Sequence, residues 1–218
     1  MISELILKKA PNPYTVVKIV LDAYFTTFHN LTISGLENIP DSGPVIFASN
    51  HTSFYDPPAI GVKNKRQINY LARDSLFKGV LGKWLTGIGT IPISRGTADM
   101  KSIKCILKTL KENKTTAIFP EGTRSYDGKL STPQAGIGMI AIKSNSIVIP
   151  TRVFGAFEAF NRNKKLPTIG MHLHVSYGPP LSPLSIDPGK EHINRYLEAS
   201  KKIMLEIEKL SPPNPSII

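Results

Sequence analysis

His51 and Asp56 stand five residues apart in the stretch SNHTSFYDPP, residues 49–58. Histidine is the side chain that changes its charge near neutral pH, which raises the question of why a carboxylate is held at this spacing. A purely structural interpretation is also available. The run PVIFAS resembles a buried strand, and a helix beginning near Pro57 would use Asp56 as its N-cap and leave His51 in the turn. This stretch alone leaves both interpretations open.

The stretch FPEGTRS, residues 119–125, has the composition of an anion-binding loop. Gly122 allows close backbone approach, Thr123 offers a hydroxyl group, and the planar guanidinium of Arg124 matches a phosphate or a carboxylate. The loop follows the strand pattern TTAIFP, and open α/β sheets bind their ligands at the carboxyl ends of strands. An ordinary polar turn in which Glu121 pairs with Arg124 is the alternative. The spacing of a P-loop is absent, which argues against nucleotide binding.

A third stretch, GTIPISRG at residues 89–96, places Arg95 just beyond another short apolar segment. A single arginine in such a position is usually a surface residue. If both segments belong to the sheet, however, Arg95 and Arg124 could converge on one doubly charged anion.

The elements that must position these residues alternate between strand and helix patterns. Strand-like runs are LTISG, PVIFAS, INYLA, TTAIFP, IVIPTRVFG and MHLHVSYG, and helical patterns lie near residues 57–63, 76–87, 99–112 and 133–144. This alternation predicts an α/β fold with a mostly parallel central sheet flanked by helices. A last helix over residues 190–210 is predicted to pack on the core through an apolar stripe: Ile193, Tyr196, Leu197, Ile203, Met204, Ile207 and Leu210.

Residues 11–31 have the apolar spacing of an amphipathic helix, interrupted by Lys18 and Asp22. Such a helix is too polar to cross a membrane and suits a position on a membrane surface or against the domain. The sequence shows no secretory leader with a cleavage site and no run of 18 apolar residues. We therefore expect a reducing, cytoplasmic compartment.

The charge of the chain is unusual and unevenly distributed. The formal net charge is +11, and residues 61–130 hold 14 Lys or Arg against 5 Asp or Glu, a local excess of +9. Such a surface attracts an anionic partner: a nucleic acid, an acidic lipid surface or a phosphorylated small molecule. In the helix near residues 99–111, lysines form a ridge that we interpret as solvated or lipid-facing: Lys101, Lys104, Lys108 and Lys111.

The single cysteine excludes an internal disulfide framework and a cysteine-rich zinc site. Cys105 falls on the apolar side of the predicted helix over residues 99–112. We therefore expect it to be a buried structural thiol and not a nucleophile.

Four blocks in order resemble the glycerolipid acyltransferases, in particular the bacterial 1-acyl-glycerol-3-phosphate (lysophosphatidate) acyltransferases. These blocks are the His-x4-Asp stretch NHTSFYD, then GTIPISRG, FPEGTRS and IVIP. The segment LARDSLFKGVLGKWLTGIG between the first two is also similar to the family. The resemblance runs from about residue 36 to residue 150.

The resemblance implies a role for each block. His51 would act as the general base on a lysolipid hydroxyl, and Asp56 would hold its imidazole in the correct tautomer. No acyl-enzyme is expected, because the substrate supplies the hydroxyl. The glycerol phosphate would be bound by Arg95, Gly122, Thr123 and Arg124, in a pocket that Glu121 shapes. No cofactor and no metal are expected, and the acyl donor would be acyl-CoA or acyl-carrier-protein.

The resemblance also divides the chain into a membrane-docking helical segment, residues 1–30, and an acyltransferase domain, residues 31–218. The basic excess, the first helix and the segment around Trp84 would place the enzyme on the cytoplasmic side of the cell membrane as a peripheral or monotopic protein. Trp84 and its neighbours fit equally well a helix that packs on the sheet. The expected partners are the lysophospholipid, the acyl donor, an anionic membrane surface and, in one variant, acyl carrier protein.

Three other interpretations fit parts of the sequence. Another lysolipid, or glycerol 3-phosphate, could be the acceptor. A metal-dependent hydrolase would use His172 and His174, which alternate in MHLHVSY, but no third ligand is apparent nearby. A nucleic-acid-binding protein would explain the charge but not the four blocks, and we expect no nucleic-acid partner.

Overall fold

The structure is a computed structural model and describes residues 12–93 and 100–212. Its central sheet has six strands: β1 Thr32–Ser34, β2 Val45–Ser49, β3 Ile68–Asn69, β6 Thr115–Ile118, β7 Ile147–Phe154 and β8 His174–Tyr177. Their order in the sheet is β1-β8-β7-β2-β6-β3. The remaining two strands, β4 (Leu71–Arg73) and β5 (Ile91–Ile93), form a separate parallel pair.

The predicted α/β fold with a mostly parallel sheet is confirmed. β2 lies inside the sheet and pairs in parallel with both β6 and β7, and all five of its residues are buried. Its continuous apolar run is typical of a strand covered on both faces. The antiparallel pair is β7 with β8, where Phe154 faces His174 across the ladder.

Helices cover both faces of the sheet. Their bounds are α1 Pro13–His29, α2 Asp56–Val62, α3 Gly79–Gly87, α4 Met100–Lys111, α5 Ala135–Ser144, α6 Ala156–Phe160, α7 Pro183–Ile186 and α8 Arg195–Lys209. One core cluster joins α1 and α2 to the sheet through Phe25, Ala59 and Ile60. The other joins α4, α5 and α8 to the opposite face through Ile106, Ile140 and Ile203, among others.

The run INYLA is divided between two sheets, which the sequence pattern did not predict. Ile68 and Asn69 extend the central sheet beside β6, whereas Leu71 begins the pair with β5. The apolar pattern continues through Tyr70 because both parts are half-buried strands. A period-two pattern does not specify which sheet a residue joins.

The predicted N-terminal helix is present as α1. Asn12 caps it by accepting a hydrogen bond from the Tyr14 N–H, and Pro13 occupies the first turn. One side of the helix packs on the core through Phe25 and the buried His29, and the other exposes apolar side chains, including Ile19. Among the described residues, every helix is too short or too polar to span a bilayer.

Two sequence predictions about side chains are wrong. Cys105 is exposed, because it lies three or four residues from Lys101, Lys108 and Thr109 and shares their side of α4. Ile193 is 97% exposed, because α8 begins only at Arg195 and the preceding residues form turns. The remainder of the stripe packs as predicted at Ile203, Met204 and Ile207, which are buried.

Candidate active site

The histidine loop leaves the carboxyl end of β2 and is fastened to β7 by its first residue. The Asn50 amide oxygen accepts the Val153 N–H at 2.8 Å, and its amide nitrogen donates to the Val153 carbonyl at 3.0 Å. The buried Asn50 side chain therefore makes the two hydrogen bonds to β7 that the backbone of a neighbouring strand would otherwise make. It fixes where the loop starts, one residue before His51.

His51 and Asp56 are in direct contact. The His51 Nδ1 atom lies 2.9 Å from Asp56 Oδ2, and the same carboxylate oxygen accepts the N–H groups of Thr52 at 2.6 Å and Ser53 at 2.7 Å. Asp56 is fully buried, whereas the His51 side chain keeps 19% of its surface exposed. Because the carboxylate accepts at Nδ1, that nitrogen carries the proton and the Nε2 lone pair is free to accept one.

The capping interpretation of Asp56 is wrong. Asp56 is the first residue of α2, Tyr55 occupies the N-cap position, and no side chain caps this helix. The carboxylate instead turns back and accepts from the loop that precedes the helix. One oxygen, Oδ1, is buried without a hydrogen-bond partner among the described atoms.

The FPEGTRS loop packs directly against the histidine loop. The Phe119 ring stacks on the His51 imidazole with centroids 3.9 Å apart and an interplanar angle of 17°. The Ser125 N–H donates to the His51 carbonyl at 2.7 Å. The imidazole is therefore fixed by Asp56 at one ring nitrogen and by Phe119 at one face.

Glu121 connects the two loops and does not project into the open site. Its carboxylate accepts the His51 N–H at 2.8 Å through one oxygen, and the Ser131 N–H at 3.1 Å and hydroxyl at 2.7 Å through the other. The side chain is only 3% exposed. Glu121 thus fixes the backbone of His51 through a hydrogen bond to its N–H.

Gly122 and Thr123 form the exposed tip of the loop, and Arg124 lies behind them. Gly122 has a φ of +72°, a left-handed conformation that favours glycine. The Arg124 guanidinium carbon lies 3.6 Å from the centroid of the Phe54 ring, which belongs to the histidine loop. The structure therefore brings Gly122, Thr123 and Arg124 beside His51 and Asp56.

Arg95 lies outside the described residues, so its predicted place beside Arg124 stays a prediction.

Three residues that contribute to the site were not predicted from the sequence: Asn50, Phe54 and Phe119. All three lie inside the quoted blocks, close to the predicted site residues. The sequence shows that these side chains are polar or aromatic, but their partners are more than 60 residues away along the chain.

The two histidines of the metal alternative lie among neutral hydrogen-bonding groups. His174 contacts the hydroxyls of Thr32 at 2.8 Å and Ser34 at 3.0 Å, and burial lowers the pKa of its imidazole. His172 Nε2 lies 3.1 Å from the Asn30 amide nitrogen. Within residues 12–93 and 100–212, no group of three or more His, Cys, Asp or Glu side chains is arranged to hold a metal ion.

An apolar cavity of about 340 Å³ opens beside the site, between α1, α2 and α3. Its lining begins at Pro57 and Pro58, directly after Asp56, and continues along Leu21, Leu85 and Ile88. Cavities of this size hold small ligands or parts of larger ones. From its sequence, the segment around Trp84 fits an interfacial position and packing on the sheet equally well. It contributes Leu85 and Ile88 to this cavity, while the Trp84 side chain lies outside the described part.

The chain is similar in sequence to known proteins. Residues 30–153, more than half of the chain, match the family model described as Acyltransferase. A 1-acyl-sn-glycerol-3-phosphate acyltransferase of Bacillus subtilis is 31% identical over 178 residues, which cover 79% of this chain and 85% of that protein. A chloroplastic protein of the same name from Arabidopsis thaliana is 30% identical over 132 residues, and the match spans 59% of this chain but only 37% of the plant protein.

A solved structure shares the fold. The crystal structure of the 1-acyl-sn-glycerophosphate acyltransferase PlsC from Thermotoga maritima superposes with a TM-score of 0.73 at 22% identity, covering 91% of this chain and 81% of that one. The family match and the Bacillus subtilis relative together establish that this chain belongs to the Acyltransferase family.

Proposed function

We propose that this protein transfers a fatty acyl group from acyl-CoA or acyl-carrier-protein to the sn-2 hydroxyl of 1-acyl-glycerol-3-phosphate, giving phosphatidic acid. The observation that carries the proposal is the 2.9 Å contact between His51 Nδ1 and Asp56 Oδ2 beside the Arg124 loop. It leaves a proton-accepting nitrogen in a loop that packs against the loop of Arg124, whose guanidinium suits a phosphate. The names of the relatives agree with this acceptor.

In the proposed reaction, His51 works as base and then as acid. The acceptor hydroxyl attacks the thioester carbonyl carbon while Nε2 takes its proton, so a carbon–oxygen bond forms. The carbon–sulfur bond then breaks, and the imidazolium returns the proton to the thiolate. Asp56 stabilises the positive imidazole throughout, as a buried carboxylate does in a catalytic triad.

The phosphate of the acceptor belongs, in this proposal, on Arg124 and the tip of its loop, with Arg95 as a second guanidinium. Arg124 stacks on the Phe54 ring at 3.6 Å, which restricts its planar group to few orientations. A guanidinium held in this way loses less side-chain entropy when it binds a phosphate with two hydrogen bonds. The hydroxyl of the same substrate would then face His51.

The fatty acyl chain would occupy the apolar cavity between α1, α2 and α3. Pro57 and Pro58 line the cavity and follow directly after Asp56, the residue that orients His51. Burial of each methylene group there contributes about 0.8 kcal/mol. We also propose that α1 faces the cytoplasmic side of an anionic membrane, from which the lysolipid arrives. No cofactor or metal enters the proposed reaction.

The test is an assay of the purified protein with a panel of acceptors and both donor types. We expect turnover on 1-acyl-glycerol-3-phosphate to exceed that on glycerol 3-phosphate and on lysolipids with other headgroups. His51→Ala should reduce turnover by roughly 10²–10⁴-fold, the usual contribution of a general base. Circular dichroism of the variant should match that of the unchanged protein.

Two outcomes would contradict the proposal. Near-normal turnover by a folded His51→Ala protein would exclude His51 as the base. A clear preference for another acceptor would keep the acyl transfer but reassign the substrate.

A further inference from the structure

We infer that Arg162, which follows α6, positions the acceptor-binding loop and so sets the affinity for the phosphate of the acceptor. This inference rests on the proposed function. Arg162 lies beyond the four blocks that resemble the family, in the segment NRNKK. Its place became visible only in three dimensions.

The segment after α6 contacts both loops of the site. The Phe160 carbonyl accepts the Ser53 hydroxyl at 2.8 Å and the Phe54 N–H at 3.1 Å, both from the histidine loop. Two residues later, Arg162 Nη1 donates to the Arg124 carbonyl at 3.0 Å. Residues 160–162 therefore connect the histidine loop with the FPEGTRS loop from one side.

A single peptide group is held from two directions. The carbonyl of Arg124 and the N–H of Ser125 belong to the same planar unit, and in a trans peptide they point in opposite directions. The N–H donates to the His51 carbonyl at 2.7 Å, and the carbonyl accepts from Arg162. A charged donor on the carbonyl also polarises the N–H, which strengthens its bond to His51.

Arg162 is itself held in place. Its guanidinium carbon lies 3.7 Å from the centroid of the Tyr126 ring, which belongs to the same loop region as Arg124. The arginine is half-buried, and it contacts the loop at Arg124 and again two residues later. Arg162 thus acts as a bracket for residues 124–126, and through the Arg124 backbone it sets the direction of the Arg124 side chain.

The consequence is a selective effect on the acceptor. If the peptide between Arg124 and Ser125 loses one of its two bonds, the guanidinium of Arg124 samples more orientations, and binding of the phosphate must restrict them again. An acceptor without a phosphate does not use Arg124 and is insensitive to this loss. The acyl donor is likewise insensitive.

The experiment compares Arg162→Met and Arg162→Lys by two measurements. The first is amide hydrogen exchange at Ser125 by NMR, which reads the peptide directly and needs no activity. The second is the KM for 1-acyl-glycerol-3-phosphate against that for monoacylglycerol, which lacks the phosphate. For Arg162→Met we expect faster exchange at Ser125 and a KM about tenfold higher for the phosphorylated acceptor, the loss typical of one charge-assisted hydrogen bond. Arg162→Lys should recover part of both effects.

The matched control is Arg152→Met. Arg152 also donates to backbone carbonyls, those of Glu208 and Leu210, and lies over the ring of Phe154, but on the side of α8. We expect Arg152→Met to lower thermal stability without raising the KM for either acceptor.

Unchanged amide exchange at Ser125 in Arg162→Met would show that Arg162 does not position the loop. Faster exchange with equal KM changes for both acceptors would overturn its role in phosphate binding. Absence of any acyl transfer in the unchanged protein would refute the proposed function. The exchange measurement would still test whether Arg162 positions residues 124–126.

Discussion

Asp56 is the most constrained group of the site, because one of its oxygens accepts from three donors at once. Two of these donors are backbone N–H groups within a buried loop, and the third is the His51 ring. The carboxylate therefore shapes the loop as well as orienting the base. A substitution at this position can therefore affect folding and chemistry separately. The result depends on whether the new side chain still accepts from the two backbone N–H groups, from the His51 ring, or from neither.

We predict that Asp56→Asn and Asp56→Ala separate these two roles. The amide oxygen of asparagine still accepts from Thr52 and Ser53, so stability should remain close to that of the unchanged protein while turnover falls by about 10⁴-fold through loss of the correct tautomer. Alanine leaves both N–H groups unpaired, each at a cost of about 1–3 kcal/mol. Urea unfolding and turnover measure the two effects, and equal unfolding midpoints for the two variants would contradict the structural role.

Arg124 should determine how tightly a phosphorylated acceptor binds. We predict that Arg124→Ala raises the KM for the acceptor by roughly 10- to 150-fold, the equivalent of about 1.5–3 kcal/mol, and leaves the KM for the donor unchanged. Lysine at this position should restore little, because it keeps the charge but loses the planar fork. Lys129→Ala removes an exposed charge from the same loop and serves as the control. A change confined to donor binding would reverse the assignment of the pocket.

At the scale of elements, α1 and α2 are joined by a pair of tyrosines. The hydroxyls of Tyr24 and Tyr55 lie 2.5 Å apart, and the Tyr24 hydroxyl also contacts His29 Nε2 at 3.4 Å. Tyr55 precedes Asp56 directly and forms the N-cap of α2. The position of the first helix is therefore coupled to the start of the helix that carries Asp56.

We predict that Tyr24→Phe lowers the free energy of unfolding by about 1–3 kcal/mol, because the part-buried Tyr55 hydroxyl loses its partner. Burial and the neighbouring Tyr24 hydroxyl raise the pKa of Tyr55 well above its ordinary value, so the Tyr55 hydroxyl stays protonated at neutral pH. Tyr196→Phe, a half-buried tyrosine of α8, is the control. If both variants unfold at the same denaturant concentration as the unchanged protein, the tyrosine pair does not fasten α1.

For the whole molecule, two buried histidines predict how stability depends on pH. Burial lowers the pKa of His29 and of His174 in the folded state. At a pH between the folded-state and the unfolded-state pKa of each histidine, the unfolded chain binds more protons than the folded one. The free energy of unfolding therefore rises with pH over this interval. We therefore expect stability to be complete above about pH 7 and to fall as the pH drops through about 6.5.

Urea unfolding between pH 5 and pH 8 measures this effect. His174→Gln should flatten the dependence, whereas replacement of the exposed His192 should leave it unchanged. A stability that is constant over this range would contradict the assignment.

Binding to vesicles tests the proposed orientation on a membrane. The basic excess contributes about 1 kcal/mol for each lysine or arginine near an anionic surface, screened over about 8–10 Å at physiological salt. The outer side of α1 adds apolar contacts, with Ile19 at 63% and Val20 at 61% exposure. We predict binding that requires anionic lipid and weakens but persists at high salt.

Ile19→Glu should reduce vesicle binding, as should a charged residue at Trp84. Ile193→Glu provides the matched control, because Ile193 is exposed beside α8, on the opposite side of the sheet from α1. Turnover of a soluble short-chain acceptor should change little in all three. Equal binding to neutral and anionic vesicles would remove the role given to the basic charge.

The sequence alone determined the elements and the chemical types of the site. Apolar periodicity predicted the α/β order, and the block NHTSFYD placed His51 and Asp56 close together after the end of a strand. These inferences succeed because each depends on contacts within a few residues, where spacing along the chain largely dictates spacing in space.

The contacts between the blocks depend on the folded structure. Glu121 supports the backbone of His51, Phe119 stacks on its ring, and Arg162 brackets the loop of Arg124 from a segment that no pattern distinguished. The same holds for the exposure of Cys105 and Ile193, which depends on where a helix starts and which side it presents. Contacts between residues far apart in sequence depend on how the sheet orders its strands, and a local pattern carries no information about that order.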